Sequence, residues 1–344
     1  MRFKSIDVLK GGEVLAEPIL SEKEDIIMQK GTIIKTEYIP LLMSMGIQTI
    51  MVEDPYEHLE TPNAIVSIAT FEDYVGRIKR IMESHIYHSN SSLREFEMIA
   101  NEIVKEIQEI PNDIIIDVTE RSSDLYEHTM RVTLLSVFLG KRLHFDRQRL
   151  YHVALGALLH DIGIRYVTSK YENADFSVMD PVSVFELKKH TILGYSALDG
   201  ESWIPDIARK MILSHHERID GTGYPMKQKN KEIECRIIQA CDAFDCYISG
   251  VECKRKSLQE ALSIMEEMRG QAFDKKIIDI LLDSVAPYPV GTTVITSQDE
   301  NGVVISQTKD KNNPIIMVID SEEENNFFQR NLMLEDDISI AYIS

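Results

Sequence analysis

Histidine spacing constrains this chain more than any other feature. His128, His160, His190 and the pair His215-His216 lie 32, 30 and 25 residues apart, each interval about the length of one helix and its connection. Successive helices can therefore each bring one or two imidazoles to a common centre. Carboxylates accompany them: Asp124 four residues before His128, Asp161 directly after His160, and Asp242 beyond the pair. Asp124 and His128 share a face of any helix that holds both, so the two are candidate ligands of one cation. An ionised Asp161 after the apolar run Val153 to Leu159 is costly to bury unless it is paired or bound to a metal. Two strings stand out, His160-Asp161-Ile162-Gly163 and the run His215 to Pro225, which reads HHExxDGxGYP.

Composition narrows the function classes. A formal charge of −19 argues against a general nucleic-acid binder, since polyanion affinity comes from clustered Lys and Arg. A phosphate substrate would have to meet locally supplied positive charge, and bound metal cations are the largest such charges available. The four cysteines, Cys235, Cys241, Cys246 and Cys253, show no C-x-x-C spacing and read as small apolar residues packing a helix in a reducing compartment. No stretch approaches the ~18 apolar residues of a membrane span, and the first residues open no hydrophobic signal core. The expectation is a cytoplasmic protein with no DNA or membrane partner.

Along the chain, residues 1–60 mix short apolar runs with Gly11-Gly12, Gly31 and Gly46. Strand-like composition at 31–34 and 47–52 flanks a helical candidate at 37–44, so a small α+β module is expected. Apolar residues recur at three and four over 71–88 and 93–110, which predicts two amphipathic helices as a connector or a dimerising pair spanning 61–110. Helices are expected at 122–143, 147–161, 181–198, 205–216, 233–249, 257–269 and 275–284, giving a helical core over 111–286. Residues 287–344 read as a small β appendage, with a hairpin at Asp299-Glu300-Asn301-Gly302 and strands at 292–296, 303–306, 314–319 and 338–343. The fold class is thus mainly α.

The HHExxDGxGYP string, together with the upstream His160-Asp161, the lone His190 and the Asp-x-x-Asp of Asp242 and Asp245, resembles the signature of the HD-GYP family of bacterial cyclic di-GMP phosphodiesterases over residues 111–285. The resemblance implies a helical HD-type core holding two divalent ions. His128, His160, Asp161, His190, His215, His216 and Asp242 would be the ligands, with Asp161 bridging. A nitrogen and carboxylate set without thiolate suits iron or manganese. Some members carry a glutamate where this chain has Asp124, and a third ion would depend on that shorter side chain. Asp161 is the central catalytic candidate; His190, His215 and His216 are candidates for proton transfer, and spacing does not choose among them. The glycine-rich loop would border the substrate cleft, placing Tyr224 at its rim. The implied substrate is cyclic di-GMP or a related cyclic dinucleotide, cleaved to linear pGpG and on to GMP, with signalling partner proteins and a homodimer as further expectations.

Two departures from the family pattern motivate an alternative, a catalytically weak sensor or scaffold that binds a cyclic dinucleotide or a partner. The lysine that usually follows His-Asp-x-Gly is Ile164, which neither donates a hydrogen bond nor carries charge. Arg165 is next in sequence and is the candidate replacement. The arginine usual shortly after the second aspartate is also missing, with Lys254 displaced downstream as the candidate substrate contact.

Overall fold

The computed structural model describes residues 2–6, 9, 13–20, 26–45, 47, 49–52, 59–85, 90–118, 121–229, 231–319, 327–335 and 337–343. Gly11-Gly12, Gly46 and residues 86–88 lie outside them. The chain divides into two compact units, one made of residues 1–61 with 290–344 and the other of residues 62–289.

In the first unit, β1 (Arg2–Ser5) pairs antiparallel with β4 (Thr49–Val52), β2 (Ile19–Leu20) pairs with β3 (Ile26–Met28), and α1 (Ile39–Ser44) follows a 3₁₀ turn. The segment 31–34, read as strand-like, forms a single bridge through Ile33 to Val14, and Ile26–Met28 takes the strand role instead. Ile6, Leu15, Ile34, Leu42, Ile50 and Val52 bury a small core.

The second unit is helical. It comprises α2 (Ile68–His85), α3 (Glu95–Glu109), α4 (Leu125–Arg142), α5 (Arg147–Leu159), α6 (Pro181–Lys188), α7 (His190–Ala197), α8 (Asp206–Ser214), α9 (Ile233–Ser249), α10 (Leu258–Glu267) and α11 (Lys275–Ser284). The apolar faces of α2 and α3, Ile78, Ile81, Met82, Phe96, Ile99 and Ile103, join the same core as Phe138, Leu155, Ile237 and Phe244. The two helices expected as a connector are therefore a layer of the core, because each buries a whole stripe against it. Side-chain caps mark the starts of α4, α5, α6 and α11 through Asp124, Asp146, Asp180 and Asp274, and a Ser257/Glu260 capping box starts α10. Gly250 ends α9 in the left-handed region at φ 77°.

The helix expected over 181–198 is two helices. At its centre the His190 ring donates from Nδ1 to the Leu187 carbonyl at 2.6 Å, and the chain turns at Lys189, so α7 begins on His190 itself.

Returning to the first unit, β5 (Thr293–Thr296), β6 (Asn301–Ser306), β7 (Ile315–Ile319), β8 (Phe327–Asn331) and β9 (Ile340–Ile343) form an antiparallel sheet in the order β8-β7-β6-β5-β9. The β5–β6 turn is not Asn301-Gly302, which lies within β6. Asp299 instead takes φ 61°, and Thr296 and Glu300 close the turn with a 3.0 Å backbone bond. Glu60 joins this sheet to the N-terminal segment, its N–H donating to the Ile305 carbonyl at 2.9 Å and its carboxylate accepting from Ser306 at 2.6 Å. The N-terminal module and the β appendage are thus parts of one unit. No helix among the described residues is long and apolar enough to cross a membrane.

Candidate metal centre

Five elements of the helical unit converge on one buried point. His128 comes from the first turns of α4, His160 and Asp161 from the end of α5, His190 from the start of α7, His215 and His216 from the end of α8, and Asp242 from the middle of α9. His128, His160, Asp161, His190, His215 and Asp242 are each at most 3% exposed, and His216 lines the edge.

Local structure explains the convergence. After α5 ends, Asp161 leads into a 3₁₀ turn, Ile162–Tyr166, that presses against α7. A Cβ at Gly163 would lie 1.8 Å from the His190 carbonyl oxygen, so only glycine permits this approach. The end of α8 is held by Gln239, whose side-chain amide donates to the Ser214 carbonyl at 2.9 Å.

The hydrogen bonds of the rings set their tautomers. Nδ1 of His160, His190 and His215 faces the carbonyl of Ala157, Leu187 and Ile212 at 2.6, 2.6 and 2.8 Å. A carbonyl only accepts, so each Nδ1 carries the hydrogen and each neutral ring turns a bare Nε2 inward. Nε2 of His190 and Nε2 of His215 stand 3.0 Å apart, and Nε2 of His160 and Nε2 of His128 stand 3.4 Å apart. Between two neutral rings these nitrogens have no hydrogen to share, whereas a shared cation accommodates both. The donor set thus fits a metal, and ligand atoms of Asp161, His190, His215 and His216, of His128, His160 and Asp161, and of His128, Asp242 and Cys246 lie close enough to share one.

Asp161 joins the two sides. Its Oδ1 is 3.4 Å from His190 Nε2 and 3.5 Å from His215 Nε2, while Oδ2 is 3.5 Å from His160 Nε2 and 3.8 Å from His128 Nε2. Burial alone would raise its carboxyl, but the surrounding histidines hold it well below the usual carboxylate range. Tyr171 donates to Oδ2 at 3.1 Å. Burial lowers His160, His190 and His216, His190 to about 4, which keeps these rings neutral and able to ligate. His128 and His215 go the other way: burial works to lower both, but Asp242 and Asp245 raise His128 well above its ordinary value, and Asp161 with Asp242 raises His215.

A further layer orients His128. Its Nδ1 is 2.7 Å from Asp245 Oδ2, and Asp245 pairs in turn with Arg121. Although burial opposes it, Arg121 and His128 hold Asp245 down at about 2. Such partners fix the ring and its basicity. Asp245→Asn is therefore expected to weaken metal affinity by roughly 10–100-fold, the usual cost of losing such a partner. Competition against a chelator measures it, and an unchanged affinity would count against an orienting role.

The glycine-rich loop folds over one side. Glu217 is buried and accepts from the N–H of Met226 at 2.5 Å and of Gln228 at 2.9 Å, pinning the loop back on α8. A Cβ at Gly223 would fall 2.4 Å from the His216 carbonyl oxygen. The Tyr224 ring stacks on His216, centroids 4.5 Å apart and 21° between planes. Its hydroxyl donates to Glu252 at 2.7 Å, and Glu252 also faces His216 Nε2 at 3.3 Å. Burial and the nearby Asp242 push the Glu252 carboxyl up to about 8. A cavity of about 340 Å³ opens here, lined by His216, Asp242, Tyr224, Glu252, Lys188 and Arg218 among others.

Three candidates from the sequence are not brought to this point. Asp124 is the N-cap of α4, its Oδ1 accepting from Tyr126 and Glu127 N–H at 2.9 and 3.0 Å, so its carboxylate serves the helix end rather than the cluster. Arg165 points to Tyr126, Nη1 to hydroxyl 3.5 Å, and does not line the cavity. Lys254 is exposed outside it, since the chain turns at Gly250 and directs Val251, Glu252 and Cys253 inward instead. Ile164, 9% exposed, packs into the apolar core. Conversely, Lys188, Arg218, Glu252 and Tyr171 were not singled out as site residues. Lys188 had a faint signal, two positions before His190; Glu252 and Tyr171 arrive from loops, and nothing local marks them.

Comparison with known proteins agrees with this geometry. Residues 109–277 match the family model of the HD domain. A cyclic di-GMP phosphodiesterase of Pseudomonas aeruginosa is 30% identical over 185 residues, 53% of this chain and 44% of that protein. A 3'3'-cGAMP-specific phosphodiesterase of Vibrio cholerae is 30% identical over 174 residues, 47% of this chain and 37% of that one. The chain thus spans less than half the length of these relatives. An HDG"Y"P protein from Bdellovibrio bacteriovorus shares the fold, with a TM-score of 0.52 at 18% identity over 82% of this chain and 98% of that one. Through residues 109–277 of the helical unit that gathers its histidines and aspartates, this chain contains an HD domain.

Proposed function

We propose that this chain is a metal-dependent phosphodiesterase that hydrolyses cyclic di-GMP to linear pGpG. One observation carries the reading: Asp161 presents one oxygen to the His190/His215 side and the other to the His128/His160 side, the arrangement a bridging carboxylate needs. His128, His160, Asp161 and Asp242 would hold one divalent ion, and Asp161, His190, His215 and His216 the other. Iron or manganese fits the nitrogen and oxygen donors of both positions. Ions held there supply the Lewis acidity that phosphodiester cleavage needs. A third ion has no support from Asp124, which caps α4.

The remaining residues bind and orient. His160, His190 and His215 commit Nδ1 to backbone carbonyls, which leaves them no proton to move. His216 differs, with Nδ1 3.3 Å from Asp242 and Nε2 3.3 Å from Glu252. Glu252 keeps its proton near neutral pH and, on the cavity wall beside His216, stands where it could give that proton to a departing oxygen. Lys188, with Nζ 5.0 Å from the Tyr224 ring centroid, and Arg218, packed over Phe273, make no ion pair with a carboxylate among the described residues. Both line the cavity and would meet the substrate phosphates in place of the cation absent at Ile164. Lys188→Ala is expected to raise KM about tenfold, equivalent to about 1.4 kcal/mol, with metal content unchanged; steady-state kinetics with elemental analysis measure it, and an unchanged KM would remove Lys188 from substrate binding.

A second reading, a sensor that binds the dinucleotide without turning it over, is favoured by one observation, the burial of Ile164 in the apolar core. Incubating anaerobically purified, metal-counted protein with cyclic di-GMP and following pGpG and GMP by chromatography separates the two. Product that disappears in Asp161→Ala supports the enzyme. Bound metal and bound dinucleotide without product would replace it with the sensor.

A further inference from the structure

Cysteine is absent from the donor set that the histidine and aspartate spacing implies, yet one thiol lies at the centre. Cys246 follows Asp242 by one turn of α9, on the same helix face, and is buried. Its Sγ is 3.8 Å from Asp242 Oδ1, which is itself 3.1 Å from His128 Nε2. Donor atoms of His128, Asp242 and Cys246 all lie within 4.8 Å of one another. A cation with sulfur at ~2.3 Å and nitrogen or oxygen at ~2.1 Å can hold donors up to ~4.4 Å apart, and the Sγ–Oδ1 and Oδ1–Nε2 separations both fall inside that span. An independent feature points into the same space. The buried His160 ring commits Nδ1 to Ala157 and aims a bare Nε2 at His128 Nε2. None of the four cysteines is in a disulfide. Cys235 and Cys241 lie on α9 outside this cluster, and Cys253 turns its Sγ to the Cys246 carbonyl at 3.6 Å.

We propose that Cys246 is a thiolate ligand on the His128/Asp242 side of the centre, giving one of its two cation positions a sulfur donor that the other lacks. The proposal rests on the reading of the centre as a metal site. On binding, the thiol proton is released to solvent and sulfur donates its lone pair to the ion. A sulfur donor on one side only makes the two positions unequal, favouring iron, cobalt or zinc over manganese at that position.

Cobalt reports the difference directly, since a thiolate bound to Co²⁺ gives an intense near-ultraviolet charge-transfer band that imidazole and carboxylate do not. The full chain is stripped of metal, titrated with Co²⁺, counted by elemental analysis and scanned. The expected result is a band that grows with one of the bound equivalents, is lost in Cys246→Ser and in Cys246→Ala while cobalt stays bound, and persists in Cys253→Ser. Cobalt bound without the band in the unaltered protein, or a band that survives both Cys246 variants, overturns the assignment and leaves the metal centre standing. No cobalt bound at all overturns the metal centre as well. Two substitutions of different polarity are used so that a folding failure of one does not decide the outcome.

Discussion

Asp161→Ala is expected to abolish turnover of cyclic di-GMP and to lower the metal content of the purified protein. The carboxylate is 2% exposed and lies between four imidazoles, with one oxygen directed to each pair. Alanine removes the one group common to both sides, and the rings on either side lose their shared anion together. Loss of a bridging ligand of this kind should cost at least about 4 kcal/mol of transition-state stabilisation, or roughly 10³-fold in kcat/KM. Asp161→Asn retains the volume and one neutral oxygen, so it should bind more metal than the alanine variant yet remain far below the unaltered protein in rate. Parallel elemental analysis and product chromatography read both effects. Undiminished metal and turnover in the alanine variant would remove Asp161 from the centre.

Gly163→Ala is the second large effect, and it acts through the backbone. The added Cβ would stand 1.8 Å from the His190 carbonyl oxygen and 2.7 Å from the Gly194 N. Both atoms belong to the main chain of α7, so no side-chain rotation relieves the clash, and the 3₁₀ turn and α7 must separate. Overpacking that cannot be relieved is expected to cost upwards of about 3 kcal/mol, at the severe end for a single methyl group. His190 begins α7, so the same displacement should weaken metal binding in whatever fraction folds. Denaturant unfolding of the metal-free protein measures the first effect and chelator competition the second. A midpoint equal to that of the unaltered protein would mean that the turn and α7 are not in the contact described.

Both variants probe residues that the chain announces openly. The His-Asp pair, the lone histidine, the double histidine and Asp242 were all visible, because each lies on a helix or at its end and the intervals match helix lengths. The helices at 233–249 and 275–284 were legible to the residue, since their apolar periodicity is uninterrupted and their flanks carry clear stops. Where a side chain competed with the backbone, the reading failed. His190 takes the Leu187 carbonyl and turns one expected helix into two. Asp124 shares a face with His128 by spacing but spends its carboxylate on the N–H groups that open α4. The β8 strand, Phe327–Asn331, escaped because Gln329, Arg330 and Asn331 break the alternation that marks a strand.

The sequence by itself determined the donor types, their order and the helical frame that carries them, because these depend on residue identity and on local periodicity. Only the tertiary structure decided which atoms meet. Helix packing set which oxygen of Asp161 faces which ring, and backbone carbonyls three residues back chose the tautomers. Packing brought Lys188 from the end of α6 and Glu252 from the loop after α9 to one cavity, and set the Tyr171 hydroxyl on Asp161. Such contacts are long-range, and no local pattern in the chain encodes the direction in which a side chain points once the core has closed around it.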